Sequence, residues 1–231
     1  MNTEESTNIS HRNPDISLHN AIKVAGIGLL LSFFGSIFAG LFVPIGDAAT
    51  STYNSLLGVL GFLIAILGDM VRAWALYIYF KPVNKSIALL SALMMLLHDA
   101  IFGAALLNLI FGSLLISGAD YLTVFGIDQL NALRLLFLEG FNYGFEIGLF
   151  FFSFHLGLLG YLAHKSGRIP KLVSILLIAA SLGYLIDSVG NLFVPNYPEI
   201  IGLILIAPNF IGEVAFILWL VFRGRKQLSN G

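Results

Sequence analysis

Cysteine is absent from the 231-residue chain, which excludes disulfides, thiolate metal sites and cysteine nucleophiles together. Charge is scarce as well. Asp, Glu, Lys and Arg make up 11% of residues against 58% hydrophobic, too little polar surface to coat a water-soluble globule. Chemical signatures are missing too: there is no HExxH, no GxSxG with partners in place, no Walker loop, no dinucleotide glycine fingerprint and no basic patch of the kind nucleic acid requires. What remains places the chain in lipid. At ~20 apolar residues per membrane crossing, its length accommodates about six spans and no second folded domain.

Six apolar runs occupy residues 21–43, 54–80, 86–117, 140–163, 171–192 and 200–222. Turn chemistry fills the gaps, with Pro44 and Gly46, Pro82, Gly167 and Pro170, then Pro195 and Pro198. Of seven prolines only Pro208 falls inside a run. The polar stretch 1–20, with Glu4, Glu5, Arg12 and Asp15, lacks the pattern of a cleaved leader and reads as a cytoplasmic tail.

Basic residues orient the runs. Ten of twelve lie at alternate boundaries: Arg12 and Lys23, Lys81 and Lys85, Lys165, Arg168 and Lys171, and Arg223, Arg225 and Lys226. The first gap, residues 118–128 and the fifth gap hold none and carry Asp47, Asp120, Asp128 and Glu199 instead. Basic loops resist translocation, so both termini are expected in the cytoplasm. The expectation is an all-α, polytopic membrane helix bundle with six transmembrane helices across 21–222, N-in/C-in, in the cell membrane. A polar tail over 1–20 and a basic tail over 223–231 would flank it on the cytoplasmic side.

Two regions depart from six simple spans. The 36 residues from Asp128 to Ala163 hold no strong breaker, and one helix of that length would reach ~54 Å against a ~30 Å hydrocarbon core. A short amphipathic interfacial helix before the fourth span is therefore expected, capped by Asp128 and ending in a bend at Gly140. Leu130, Leu133, Leu136 and Phe137 would face lipid or protein, with Asn131 and Arg134 facing water. The third run is also long, and its 112–118 end is expected to unwind. A weak internal repeat relates the hairpins over 72–99 and 159–187; each has a short basic turn and ends on an aspartate.

The turn KPVN (81–84), SGADYL (117–122), FHLGLLGYLAHKSGRIPK (154–171), GYLIDS (183–188) and PNY (195–197) resemble a family of prokaryotic integral membrane proteins known as domain of unknown function 4386. The resemblance covers most of the chain after the first span. It implies a six-helix membrane protein and brings no activity, substrate or catalytic residue.

Ionisable side chains inside spans are costly and normally face protein or a wet cavity. Asp69 and Arg72 stand three apart on one helical face, either a local ion pair or an arginine clamp for a carboxylate or phosphate. His98 and Asp99 lie mid-run, but neighbouring helical residues point ~100° apart, so a hydrogen-bonded packing role stands beside a proton-handling one. In the fourth run Glu139, Asn142, Tyr143, Glu146, Ser153 and Gly157 form a stripe that either packs helices or lines an aqueous path. His155 falls ~180° from Glu146 and is read as packing. Asp187 and Asn191 share a face with Gly183 and Tyr184, read as helix glue. Glu213 sits near Pro208, Asn209 and Gly212, where a missing donor frees a backbone carbonyl, an arrangement suited either to an ion or proton site or to a structural kink.

The candidate intramembrane site is therefore Asp69, Arg72, His98, Asp99, Glu146 and Glu213, with Asn142, Tyr143, Asp187 and Asn209 as secondary polar positions. No catalytic residue, metal or cofactor is assigned. The leading expectation is a bundle that binds or passes a proton, ion or small solute, with the lipid bilayer as its other partner. A non-catalytic sensory or assembly protein is the alternative. A lipid-modifying enzyme, with Asp99 or Glu146 as base and His98 as partner, is the third reading.

Overall fold

Helices fill the apolar runs because the bilayer offers backbone groups no partners, and an α-helix satisfies them within itself. The computed structural model describes residues 16–42 and 52–226. In order, these form α1 (Leu18–Phe42), α2 (Thr52–Phe80), α3 (Lys85–Leu114), a 3-10 turn (Asp120–Leu122), α4 (Ile127–Ser166), α5 (Lys171–Phe193) and α6 (Glu199–Lys226). All six helices are long and apolar enough to cross a membrane. The tail through Asp15, the gap with Pro44, Gly46 and Asp47, and residues 227–231 lie outside the described residues, as do the side chains of Arg223, Arg225 and Lys226.

The short turns are set by local chemistry. After Pro82, Asn84 Oδ1 accepts from the Ile87 amide at 3.0 Å and caps α3. Gly167 ends α4 with φ of 63°, a left-handed conformation that favours glycine, and Pro170 leads into α5. The expected unwinding of the third run is seen: α3 stops at Leu114, and Gly118 takes φ of 72°.

Each helix packs on its neighbours in sequence and α1 meets α6, so the six close into a ring in chain order. One end of the ring carries the Lys81/Lys85 and Lys165/Arg168/Lys171 turns, the start of α1 and the end of α6; it is the basic end. Large apolar side chains such as Phe34, Leu67, Leu182 and Phe210 point outward, as lipid as a solvent permits.

α1 and α2 make the closest seam. A Cβ built on Gly28 would lie 2.6 Å from the Gly68 carbonyl oxygen and 2.8 Å from the Arg72 amide. One built on Gly61 would lie 2.8 Å from the Gly35 carbonyl oxygen. Only glycine allows two backbones this near, and small residues at such seams are how helices associate where lipid gives no hydrophobic drive. The seam delivers α1 against the turn that bears Arg72.

The expectations around the fourth span are corrected. The separate interfacial helix does not form: α4 is one uninterrupted helix of 40 residues, ~60 Å long, because nothing between Asp128 and Ser166 breaks it. Its cap is Gly126, whose amide donates to Gln129 Oε1 at 2.9 Å, and Asp128 sits inside the first turn, where a negative charge suits the helix dipole. Gly140 makes room for Asn108, whose Oδ1 would be 2.9 Å from an added Cβ. Arg134 does not face water. It is 8% exposed, enclosed with Ser55, Ser113 and Ile116 where α3 ends, a terminus whose partial negative charge favours a cation.

Candidate functional site

Polar side chains have to be placed where the ring leaves space. At the basic end it leaves little: Ile22, Phe80, Met95, Leu162, Leu177 and Leu220 are all fully buried in one apolar cluster. Beyond that layer the bundle opens into a cavity of about 270 Å³, lined from all six helices.

Four of the expected residues, Asp69, Arg72, His98 and Glu213, line this cavity together with Tyr184. Asp69, His98, Tyr184 and Glu213 stand at similar depth, with Arg72 about one turn nearer the basic end. His98, Tyr184 and Glu213 each lie 13 residues from the basic-end limit of their helices at Lys85, Lys171 and Lys226, ~20 Å along the axis, and Asp69 lies 11 residues from Phe80. Arg72 Nη2 bonds Asp69 Oδ1 at 2.8 Å and points to Met95 Sδ at 3.4 Å, and its side chain is buried. The i,i+3 pair is thus formed. The Tyr184 hydroxyl donates to Glu213 Oε1 and ties α5 to α6.

His98 is held by stacking. Its ring lies 6.0 Å from Phe102 at an interplanar angle of 19° and 5.2 Å from Phe152. Gly148 of α4 lets it approach, since a Cβ there would be 3.1 Å from His98 Nδ1. Phe33, Phe62 and Phe145 continue the wall, so the polar groups sit in an aromatic shell.

The remaining expected residues do not join this group. Asp99 is 4% exposed and buried on another face of α3, and neither of its carboxylate oxygens bonds a protein group. Glu146 lies 20 residues from the end of α4 at Ser166, ~30 Å along the axis, and accepts from Asn191 Nδ2 at 3.3 Å. With Glu139, Asn142 and Tyr143 it lines a separate open cavity of about 440 Å³ towards the end opposite the basic one. Of the polar stripe of α4, Glu139, Asn142, Tyr143 and Glu146 line space at that end, whereas Ser153 is buried and Gly157 packs against Ser181.

Asp187 and Asn209 line a third cavity that shares Phe33, Tyr184, Glu213 and Ile217 with the central one. Asn209 is 5% exposed and packs its amide against Gly183. In the loop outside the spans, burial and the neighbouring Asp187 carboxylate hold the Tyr197 hydroxyl above its ordinary range. His155 packs between helices as expected, with Nδ1 2.8 Å from the Ser91 carbonyl oxygen and 3.0 Å from Ser91 Oγ. Among the described residues no three His, Asp or Glu side chains are grouped to hold a metal ion.

Tyr184 and the phenylalanine shell were not singled out from the sequence as site residues. A polar-tipped aromatic three residues before Asp187 was the available signal; the phenylalanines, among twenty in an apolar chain, gave none.

Six membrane-length helices closed into a ring around buried ionisable side chains define a polytopic integral membrane protein with a polar interior. The chain belongs to the DUF4386 family, a domain of unknown function, whose family model matches residues 24–224. An uncharacterised protein of Archaeoglobus fulgidus is 36% identical over 175 residues, covering 76% of this chain and 86% of that relative. No solved structure matches.

Proposed function

We propose that the protein binds or passes a proton, ion or small solute through the central cavity, with Asp69, Arg72, His98, Tyr184 and Glu213 as the binding groups. The observation that carries this reading is the meeting of four ionisable side chains from three helices on one cavity within the bundle. A charge in the hydrocarbon core costs a few kcal/mol or more, and helices are glued equally well by serine or asparagine. Four such groups on one cavity support a ligand site over helix packing alone. Basic residues at one end support an orientation with that end and both termini in the cytoplasm, as in a cell-membrane protein. The cavity of Glu139 and Glu146 then faces outward.

The sensory or assembly reading needs these residues only as glue. An enzyme with His98 as partner would need Asp99 or Glu146 beside it, and neither lines the cavity of His98. The test is thermal stability of the purified protein against a panel of ions, amines, organic acids and lipids. A native-state ligand at a hundredfold excess over Kd stabilises by about 2.7 kcal/mol and raises Tm. A response lost in Glu213→Gln and Arg72→Gln supports the site; a flat panel contradicts it.

A further inference from the structure

Resting on the reading of the central cavity as a solute site, we infer that its ligand is a small organic monocation, an amine or quaternary ammonium. Charge within the cavity is the first ground. Among the described residues, the acidic side chains Asp69 and Glu213 line it against Arg72, one acidic group in excess. The guanidinium's charge is already paired: Nη2 holds Asp69 at 2.8 Å and Met95 Sδ at 3.4 Å, while Nε bonds no protein group. An anion entering here would meet two acidic side chains walled by apolar protein, where like charges repel more strongly than in bulk water.

The wall is the second ground. Phe33, Phe62, Phe102, Phe145 and Phe152 line the cavity, and their rings join through Phe62 on Phe102 at 5.1 Å and Phe102 on Phe145 at 5.3 Å. Ring faces carry partial negative charge, and a desolvated aromatic cage closed by a carboxylate suits alkylated ammonium groups. The phenylalanines offer no oxygen ligands, and the cavity's side-chain oxygens, those of Asp69, Glu213, Tyr184, Ser32 and Ser36, share its wall with five phenylalanine rings. That mixed lining suits a cation with an apolar body, which is why it is placed in the organic class.

The approach is the third ground. The open cavity at the end opposite the basic one is lined by Glu139 and Glu146 and, among the described residues, by no lysine or arginine. Asp187 stands beside Glu146 and lines the third cavity with Glu213, so carboxylates mark the way from that mouth to the centre. A cleft lined by one sign of charge concentrates the opposite sign.

Choline and its uncharged isostere 3,3-dimethylbutan-1-ol separate charge from shape. The full-length protein in lipid nanodiscs is titrated with each, and with acetate and phosphate, following Tm. Choline is expected to raise Tm saturably, with the isostere at least tenfold weaker. Glu213→Gln should abolish the choline response, and Phe33→Leu should weaken it roughly tenfold. Equal binding of choline and isostere overturns the cation class, as does an Arg72-dependent response to acetate or phosphate alone; either keeps the solute site. A choline response unchanged by Glu213→Gln overturns this location. No response to any probe overturns both the cation class and the solute-site reading, and because the decisive pair is read on the unsubstituted protein, misfolding of a variant does not blunt the test.

Discussion

The two ends of the bundle are built from the same helices and nearly the same apolar residues, yet one is solid and the other hollow. At the basic end Phe80, Leu159, Leu162, Leu177 and Leu220 interlock in a dry layer, and even the serine there, Ser174, is 0% exposed. Past the depth of Asp69 and Glu213 the helices surround three cavities lined with carboxylates, amides and tyrosines. The difference lies in where a few polar side chains fall. Branched apolar residues fill space to near-crystalline density, whereas most of the acids and amides lie where the helices stand apart. One end therefore seals the bundle and the other admits.

The largest way to break this contrast is to separate the helices that frame it. Gly68→Leu should abolish the fold, because a Cβ there already meets the Ser32 amide at 2.6 Å; Gly40→Leu, with nothing within 4 Å, should leave it intact. Size-exclusion profiles of the two purified variants check this. Next in size is the ion pair. Arg72→Met leaves Asp69 buried without its partner and should cost about 3–5 kcal/mol, and adding Asp69→Asn should restore much of the loss. Unfolding in mild detergent at increasing denaturant measures it.

Leu162→Ala in the sealed layer, where the side chain is 1% exposed, should cost about 2–5 kcal/mol. Leu136→Ala at the hollow end, 61% exposed, should stay within about 0.5 kcal/mol. Equal effects would erase the distinction between the ends. Glu213→Gln keeps an acceptor for Tyr184: it should alter stability by at most about 1 kcal/mol while removing ligand response, and a larger unfolding effect would make Glu213 structural.

The fold was largely legible because lipid imposes simple rules. Run length marked six spans, proline and glycine marked the turns, and three-residue spacing brought Asp69 to Arg72. What was missed depends on which helix stands beside which. Glu146 was grouped with Asp69 and Glu213 because periodicity gives a face and a rough depth but no neighbour; in the ring it sits about 10 Å further along its helix than the cavity groups do on theirs. Arg134 was turned to water on the strength of an amphipathic pattern, and the end of α3 covers it instead. The glycine seam is seven-residue spacing repeated in two helices, Gly28 with Gly35 and Gly61 with Gly68, unreadable as a pair until the helices are known to touch. In α4 the absence of a breaker over 40 residues outweighs the thickness of the bilayer.

Because the chain has no cysteine, a single introduced thiol reports access without background. Ser32→Cys places one on the central cavity and Ser174→Cys places one in the sealed layer, three residues from the start of α5. With the protein in nanodiscs and a small water-soluble maleimide, Ser32→Cys is expected to label rapidly and Ser174→Cys to stay unlabelled although it lies nearer a membrane surface. Rapid labelling at Ser174→Cys with none at Ser32→Cys would contradict a polar cavity reached from the hollow end and sealed at the basic one.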